Sequence, residues 1–403
     1  MKFNFVNVLI LILLPINALF DVLTNVVFTS GGIFSYIRAI IMLLIIVTVL
    51  FRFKQNKLLF KPFLIFTLYV LIQLPFSSNL IYSLSMSLKV LIPILTFFIG
   101  YSLIKSIDKL KLLNWSLLLL MMIISVNFFI SNKLGLGVDV YSKSGDFLVG
   151  NINDNWNIIT YSLLVTPLLY KYNNSRILII IFSVFSLGLL FMSMKRIAIL
   201  GLFVGAVIFL YSLNLKKILK WIFITVILVA FTFPFYGPKL VERLATREDK
   251  FQSNQVEVIQ EEYRFLETIA VFSETITFNN PLKSIFGLNP FNSIGNYVQG
   301  AFGDRQLHVD YNLILNTIGI VGLILYLNIF VRINNYRKKL IKVIGEGKIK
   351  DINIIFKVLF FAQFITSFGG QMYQITFRTI IFIYLGAILG LMNRHFKMIK
   401  HDI

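Results

Sequence analysis

Long apolar stretches separated by short polar ones make up most of this 403-residue chain. Many of these stretches contain about 18 or more nearly uncharged residues, the length at which an α-helix crosses a hydrocarbon core of roughly 30 Å. The pattern predicts an all-α, polytopic helical membrane protein with about 12 transmembrane helices. The predicted spans are roughly 5–22, 34–51, 62–78, 84–104, 112–131, 155–170, 177–193, 197–214, 221–236, 309–331, 352–370 and 377–392.

One long polar segment, residues 237–308, interrupts this pattern. It holds much of the acidic charge and the only histidine outside the C-terminal tail. Within it, residues 255–278 carry apolar side chains at helical spacing, which predicts an amphipathic helix. The chain therefore divides into residues 1–236 with the first nine spans, the loop 237–308, and residues 309–403 with the last three spans and a tail.

The distribution of Lys and Arg predicts the orientation of the spans. These residues are several times as frequent in one set of alternate connections, which includes both termini, as in the short connections opposite. Cytoplasmic connections carry this excess, and long loops cross the membrane largely regardless of charge. We therefore expect both termini in the cytoplasm and residues 237–308 on the outer side.

Composition excludes several classes of partner and site. The chain is 57% hydrophobic, with a mean hydropathy of +0.82 and a formal net charge of +20. The positive-inside rule explains most of this charge, so nucleic acid is not an expected partner. Without cysteine, the chain has no disulfide, thiolate zinc site or cysteine nucleophile. With one histidine in the long segment, we expect no transition-metal site and no cofactor.

Several cations lie at the predicted outer ends of spans, where the positive-inside rule disfavours them. They are Arg38, Lys89, Lys195, Arg196 and Arg378. Placing a cation in a span costs a few kcal/mol, although each long side chain can extend to the outer headgroups. A shared reason for all five would be a polyanion held at the outer leaflet, such as the diphosphate of a lipid carrier.

His308 directly precedes the tenth predicted span. At about 100° per residue, His308, Asn312 and Gly319 share one helix face, with Gly322 close by. The two glycines would let another helix approach closely. An imidazole at the outer mouth of this helix can act as a general base near neutral pH. The alternative interpretation is a surface histidine at a helix start.

Arg196 lies in a short outward turn that Ser193 and Lys195 lead into. Gly201 and Gly205, just below it, are spaced for close helix packing. A guanidinium fixed at the membrane surface can grip phosphate with two parallel hydrogen bonds. The alternative is a side chain that only anchors the helix at the interface.

Arg264 lies on the predicted amphipathic helix, three residues from both Glu261 and Glu267. A structural ion pair with these carboxylates is the alternative to a role in phosphate binding. The motifs that follow, Asn280-Pro281 and Phe286-Gly287, predict turns that return the chain to the membrane.

Together these elements resemble the O-antigen polymerase and O-antigen ligase superfamily of bacterial envelope glycan assembly. The resemblance covers roughly residues 150–325. It rests on Gly150-Asn151…Asn153, on Ser193…Arg196…Gly201, on Arg264 ahead of Asn280-Pro281-Leu282 and Phe286-Gly287, and on His308 with Gly319-x-x-Gly322. Two departures, Asn289 in place of a loop glycine and Lys195 in place of a small residue, leave the subfamily open.

The resemblance implies a fold similar to GT-C-like glycosyltransferases in the bacterial cytoplasmic membrane. It also implies an undecaprenyl-diphosphate-linked sugar donor at the outer face, a sugar hydroxyl as acceptor, and a chain-length regulator as a further candidate partner. Arg196 and Arg264 would stabilise charge on the leaving diphosphate, and His308 would assist the attacking hydroxyl. Further candidates for diphosphate binding are Lys195, Arg305, Arg38 and Arg378.

Three functions are consistent with these expectations. A polymerase would join lipid-linked repeat units of O-antigen or capsule, and a ligase would transfer a finished glycan to a lipid core. A transporter or flippase is the alternative from another class, but that class favours internal repeats and ionisable groups near the bilayer midplane. Because the charges here gather at the predicted outer surface, the sequence favours the enzymes, with the polymerase first.

Overall fold

The computed structural model describes residues 5–26, 32–53, 56–135, 155–193, 195–212, 263–287, 289–295, 306–369 and 372–401. This part of the chain forms fourteen α-helices. The first nine are α1 (Phe5–Ile12), α2 (Pro15–Val26), α3 (Gly32–Arg52), α4 (Lys57–Gln73), α5 (Leu80–Leu103), α6 (Ile107–Leu134), α7 (Asn155–Tyr172), α8 (Arg176–Ser193) and α9 (Arg196–Tyr211). The others are α10 (Tyr263–Ile276), α11 (Pro281–Phe286), α12 (Asp310–Ile344), α13 (Glu346–Thr366) and α14 (Ile375–His401).

Five of the described helices are long and apolar enough to cross a membrane, or six if the bent pair α1 and α2 forms one span. The five are α4 with its 3-10 extension, α5, α6, α12 and α14. By helix length and hydropathy the chain is thus a multi-pass helical membrane protein. The prediction of about 12 spans is wrong for the described residues, and the predicted span 221–236 lies outside them.

The shortfall in spans has physical causes in particular helices. The apolar helix α9 (Arg196–Tyr211) has 16 residues, which gives about 24 Å at 1.5 Å per residue, less than the hydrocarbon thickness. The apolar part of α13 contains three charged residues, Lys350, Asp351 and Lys357. Averaged hydropathy along the sequence does not register where a helix ends.

Polar side chains fix the starts of several helices. Asn56, Asn79, Ser106 and Asn280 are N-cap residues whose side chains accept a hydrogen bond from a backbone N–H in the first turn of α4, α5, α6 and α11, respectively. Such caps satisfy N–H groups that lack a partner within the helix. Gly135, in the left-handed conformation with φ 64°, ends α6.

Helix α14 lies at the centre of the bundle, and its 18-residue apolar segment is entirely buried. It packs most extensively against α5. A Cβ atom added at Gly100 would collide with the backbone of Ile383, and one at Gly386 would collide with the backbone of Phe97. The two helices therefore touch backbone to backbone, which only glycine permits.

Helix ends from the connections with the excess of Lys and Arg meet at one end of the bundle. The Asn56 amide donates to the Tyr336 hydroxyl (2.9 Å), which donates to Asn393 (2.8 Å), so the start of α4 and the ends of α12 and α14 are adjacent. At this end Lys171 of α7 pairs with Asp351 of α13, and this hydrogen bond raises the pKa of Lys171. The opposite ends carry the candidate functional residues.

Candidate functional site

His308 lies in the non-helical segment that leads into α12, and its side chain is half-buried. The helix begins at Asp310, two residues further on, after the N-cap Val309. The Asp310 N–H donates to the carbonyl oxygen of Ser367 (3.0 Å), and its carboxylate accepts a hydrogen bond from Arg378. The backbone beside His308 is therefore held against the end of α13 and the start of α14.

The Arg378–Asp310 ion pair is buried, with 2% and 0% of the two side chains exposed. Arg378 also lies within 3.4 Å of the Ser367 hydroxyl oxygen and stacks on Phe377, 4.8 Å from the ring centroid. Removing two charges from water is costly unless they pair closely. The charge of Arg378 is thus compensated inside the protein, and its predicted role in binding a substrate diphosphate stays a prediction.

Arg196 is the first residue of α9 and is exposed, while the N-cap Lys195 is half-buried. Below it, a Cβ atom at Gly201 would lie 2.7 Å from Thr366 of α13, and one at Gly205 would lie 3.1 Å from Val358 of the same helix. These glycines permit the close helix packing that their spacing indicates. The packing fixes the position of the start of α9.

The turn 367–369, which follows α13, brings the segments of Arg196 and His308 together. A Cβ atom at Gly369 would lie 2.9 Å from the Ile197 side chain, which directly follows Arg196. The Ser367 carbonyl oxygen, at the start of the turn, accepts the N–H of Asp310. The segments that carry two of the three residues predicted to be catalytic therefore contact the same turn, at the same end of the bundle.

Arg264 is the second residue of α10, and its side chain lies outside the described residues. The predicted amphipathic helix is observed over Tyr263–Ile276, and its earlier part, 255–262, is likewise outside them. One turn after Arg264, the Thr268 hydroxyl accepts a hydrogen bond from the Asn312 side chain (2.8 Å). The α10 helix is thus attached to the first turn of α12, close to the His308 segment.

Helix α12 breaks at Gly319, where φ is 70° and ψ is −176°. The end of α11 fills this break, because a Cβ atom at Gly319 would collide with the backbone of Ile285. The nearest neighbour of a Cβ atom at Gly322 is Ile318 of the same helix. The element that approaches Gly319 is therefore the short helix α11, and His308 and Gly319 do not share one continuous helix.

Polar side chains from α4 satisfy the carbonyl groups exposed by the break. The Tyr69 hydroxyl donates to the carbonyl oxygens of Ile318 (2.9 Å) and Phe286 (3.2 Å). The Gln73 amide donates to the same Phe286 oxygen (2.5 Å). Apolar surroundings penalise unpaired carbonyls, so these bonds allow the backbone to depart from a helix at this depth.

The residues after α11 hold the His308 segment from the other side. The Leu307 N–H donates to the Ser293 hydroxyl (2.8 Å), and the Gln306 side chain donates to the Phe291 carbonyl oxygen (2.7 Å). His308 is thus placed between this segment and the ion pair at Asp310.

Arg38 of α3 forms a second buried ion pair at this end. Its Nη1 lies 2.5 Å from Oδ1 of Asp21, and the Thr376 hydroxyl donates to the other carboxylate oxygen (2.6 Å). Lys89 of α5 lies within electrostatic range of both charges. Because Thr376 and Arg378 are two positions apart on α14, they point to opposite sides of it. The start of α14 therefore separates the two ion pairs.

Sequence reasoning missed the two carboxylates that pair with these arginines. An aspartate in the first turn of a helix, such as Asp310, is ordinarily explained by the helix dipole. Its partner Arg378 is 68 residues away in the chain. Asp21 is likewise 17 residues away from its partner Arg38. A carboxylate at the edge of an apolar span was the available signal, because such a group requires a partner.

Arg305 lies outside the described residues. Within the described part of the chain, no group of three or more His, Cys, Asp or Glu side chains is arranged to hold a metal ion.

Comparison with known protein families finds no matching family model, and no curated protein matches the chain significantly.

Proposed function

We propose that the protein is a glycosyltransferase that polymerises polyprenyl-diphosphate-linked oligosaccharide units, of O-antigen or capsule type, on the outer face of the bacterial cytoplasmic membrane. The observation that carries the proposal is that the segments of Arg196 and His308 pack on the same turn, 367–369. A base beside a phosphate-binding cation is the arrangement that glycosyl transfer from a diphosphate donor requires.

In this proposal the arginines act on the leaving group. The bond from the anomeric carbon to the diphosphate breaks, and the electron pair leaves with the diphosphate. Arg196, exposed at the start of α9, and Arg264, in the first turn of α10, stabilise the charge that develops there. Lys195 and Arg305 are additional candidates for contacts to the diphosphate.

His308 acts on the acceptor. Its imidazole takes the proton of the attacking sugar hydroxyl as the new bond to the anomeric carbon forms. Direct displacement inverts the configuration at this carbon. The step uses no metal ion, since the arginines supply the positive charge that a metal would otherwise provide.

The buried ion pairs support this arrangement indirectly. Arg378, paired with Asp310, fixes the start of α12 and with it the backbone near His308. Arg38 is similarly paired with Asp21. We therefore assign Arg378 a positioning role in this mechanism, and we retain Arg38 as a candidate for diphosphate binding together with the nearby Lys89. A chain-length regulator protein remains a proposed partner.

The test is elongation in vitro from a synthetic diphosphate-linked repeat unit, with and without a chelator. We expect elongation to persist with the chelator and to be abolished by Arg196→Ala, Arg264→Ala and His308→Ala. Lys133→Ala, an exposed cation in the last turn of α6, is the matched control and should retain elongation. Normal elongation by the His308 variant would refute the assignment of the base.

Deletion of the gene separates the polymerase from the ligase. Loss of a polymerase should leave lipid-linked single units to accumulate, with single units still reaching the surface. Loss of a ligase should leave finished polymer on the carrier lipid, without surface attachment. A transporter would instead leave unextended units on the cytoplasmic side, and elongation in vitro would fail with the intact protein.

A further inference from the structure

Helix α10 turns its apolar face outward. Four apolar side chains at spacings of four, three and four residues form one stripe along it. They are Phe265, Ile269, Phe272 and Ile276, with exposed fractions of 53%, 51%, 43% and 68%. Away from this stripe the helix buries Glu267, Val271 and Thr275. On the surface of a water-soluble domain, a helix exposes its polar face. The exposed apolar stripe of α10 therefore indicates an apolar environment.

The exposed apolar surface continues across α11 to a membrane span. Leu282 and Phe286 of α11 are exposed. Phe286 accepts hydrogen bonds from Tyr69 and Gln73 of α4, which places it beside the outer end of that span. On α4 and its 3-10 extension, Ile72 and Phe76 are exposed by 66% and 75%. Apolar side chains at this position on a span face lipid, so the adjoining stripe borders the same medium.

The position of α11 along the axis of α12 also indicates contact with lipid. Helix α11 meets α12 at Gly319, nine residues after the helix start at Asp310. Nine residues of helix correspond to roughly 14 Å along its axis. Two carbonyl oxygens there, those of Ile318 and Phe286, accept hydrogen bonds from Tyr69 and Gln73. A segment whose backbone carbonyl groups are hydrogen-bonded in this way can enter the hydrocarbon region beside the protein.

We propose that α10 and α11 are embedded in the leaflet at this end of the bundle, with the stripe of α10 against the acyl chains of bilayer lipids. Residues 263–287 then form an interfacial, partly re-entrant element and not a loop in the aqueous phase. The proposal does not depend on glycosyl transfer. It places Arg264, in the first turn of α10, at the level of the lipid headgroups.

Single-cysteine labelling tests the proposal directly, because the chain has no cysteine of its own. The variants Ile269→Cys and Ile276→Cys carry an environment-sensitive fluorophore in phosphatidylcholine nanodiscs. Lys133→Cys, at the exposed end of α6, is the control. We expect a blue-shifted emission for the two α10 labels, several-fold stronger quenching by acyl-chain nitroxide lipids than for the control, and weak quenching by aqueous iodide.

Two outcomes would overturn the proposal. If iodide quenches the α10 labels as strongly as the Lys133→Cys label, the stripe faces water. If neither quencher reaches them, protein covers the stripe, either residues 213–262 of this chain or a partner. Each labelled variant should keep the elution volume of the unmodified protein, and agreement between positions 269 and 276 guards against a local distortion at either one.

Discussion

Removing one partner of the Arg378–Asp310 pair should destabilise the protein far more than removing both. The two side chains are 2% and 0% exposed, so Asp310→Leu leaves a buried guanidinium without its counter-charge. Such a change costs about 3–5 kcal/mol. The same range applies to Arg378→Met. In the double variant no buried charge is left, and replacement of a buried pair by apolar residues of similar volume is often neutral.

The assay is chemical unfolding in mixed micelles, followed by tryptophan fluorescence from the three tryptophans. With single costs of about 3–5 kcal/mol each and a neutral double variant, the double-mutant cycle should give a coupling energy of about 6–10 kcal/mol. Asp108→Asn provides the control, because the exposed Lys111–Asp108 pair should contribute less than about 1 kcal/mol. Additive single effects, with a coupling near zero, would refute the inference that this pair acts as a unit.

Three further outcomes follow from the packing. Gly319→Ala should lower the free energy of unfolding by more than about 1 kcal/mol, because its φ is positive and α11 fills the space; equal stability would contradict the observed break. Gly188→Ala, with nothing within 4 Å, should be neutral or stabilising in the same titration. Tyr69→Phe should cost about 1–3 kcal/mol, since the Ile318 carbonyl oxygen loses its side-chain donor, and no loss would place this oxygen in contact with water. Ile197→Cys with Gly369→Cys should form a disulfide on oxidation, detected by mass spectrometry of peptides; failure to cross-link would separate α9 from the turn 367–369.

The sequence was sufficient for features that depend on local chemistry. Asn280-Pro281 predicts a turn, and the structure has Asn280 as the N-cap and Pro281 in the first position of α11. It could not show that α11 fills a break at Gly319, since that contact depends on two segments meeting in space. The sequence also predicted about twice as many spans as the described residues support, because the hydropathy of an apolar run does not show where the helix within it begins and ends.

The candidate site divides in the same way. Counting of Lys and Arg predicted that Arg196 and His308 lie at one end of the bundle, since alternate helix ends must share a side. The partners of Arg378 and Arg38 could not be identified, because buried ion pairs join residues distant in sequence. The contacts of the turn 367–369 could not be predicted either, because they are made by the backbone carbonyl of Ser367 and by Gly369, which has no side chain.

The glycine contact between α5 and α14 has a consequence for biogenesis. Helix α14 follows in the chain every described helix that packs against it, so these helices are synthesised before the helix that they surround. The backbone contact at Gly100 and Gly386 leaves no room for another side chain or a lipid tail between α5 and α14. A chain that stops before residue 375 would therefore lack the main packing partner of α5.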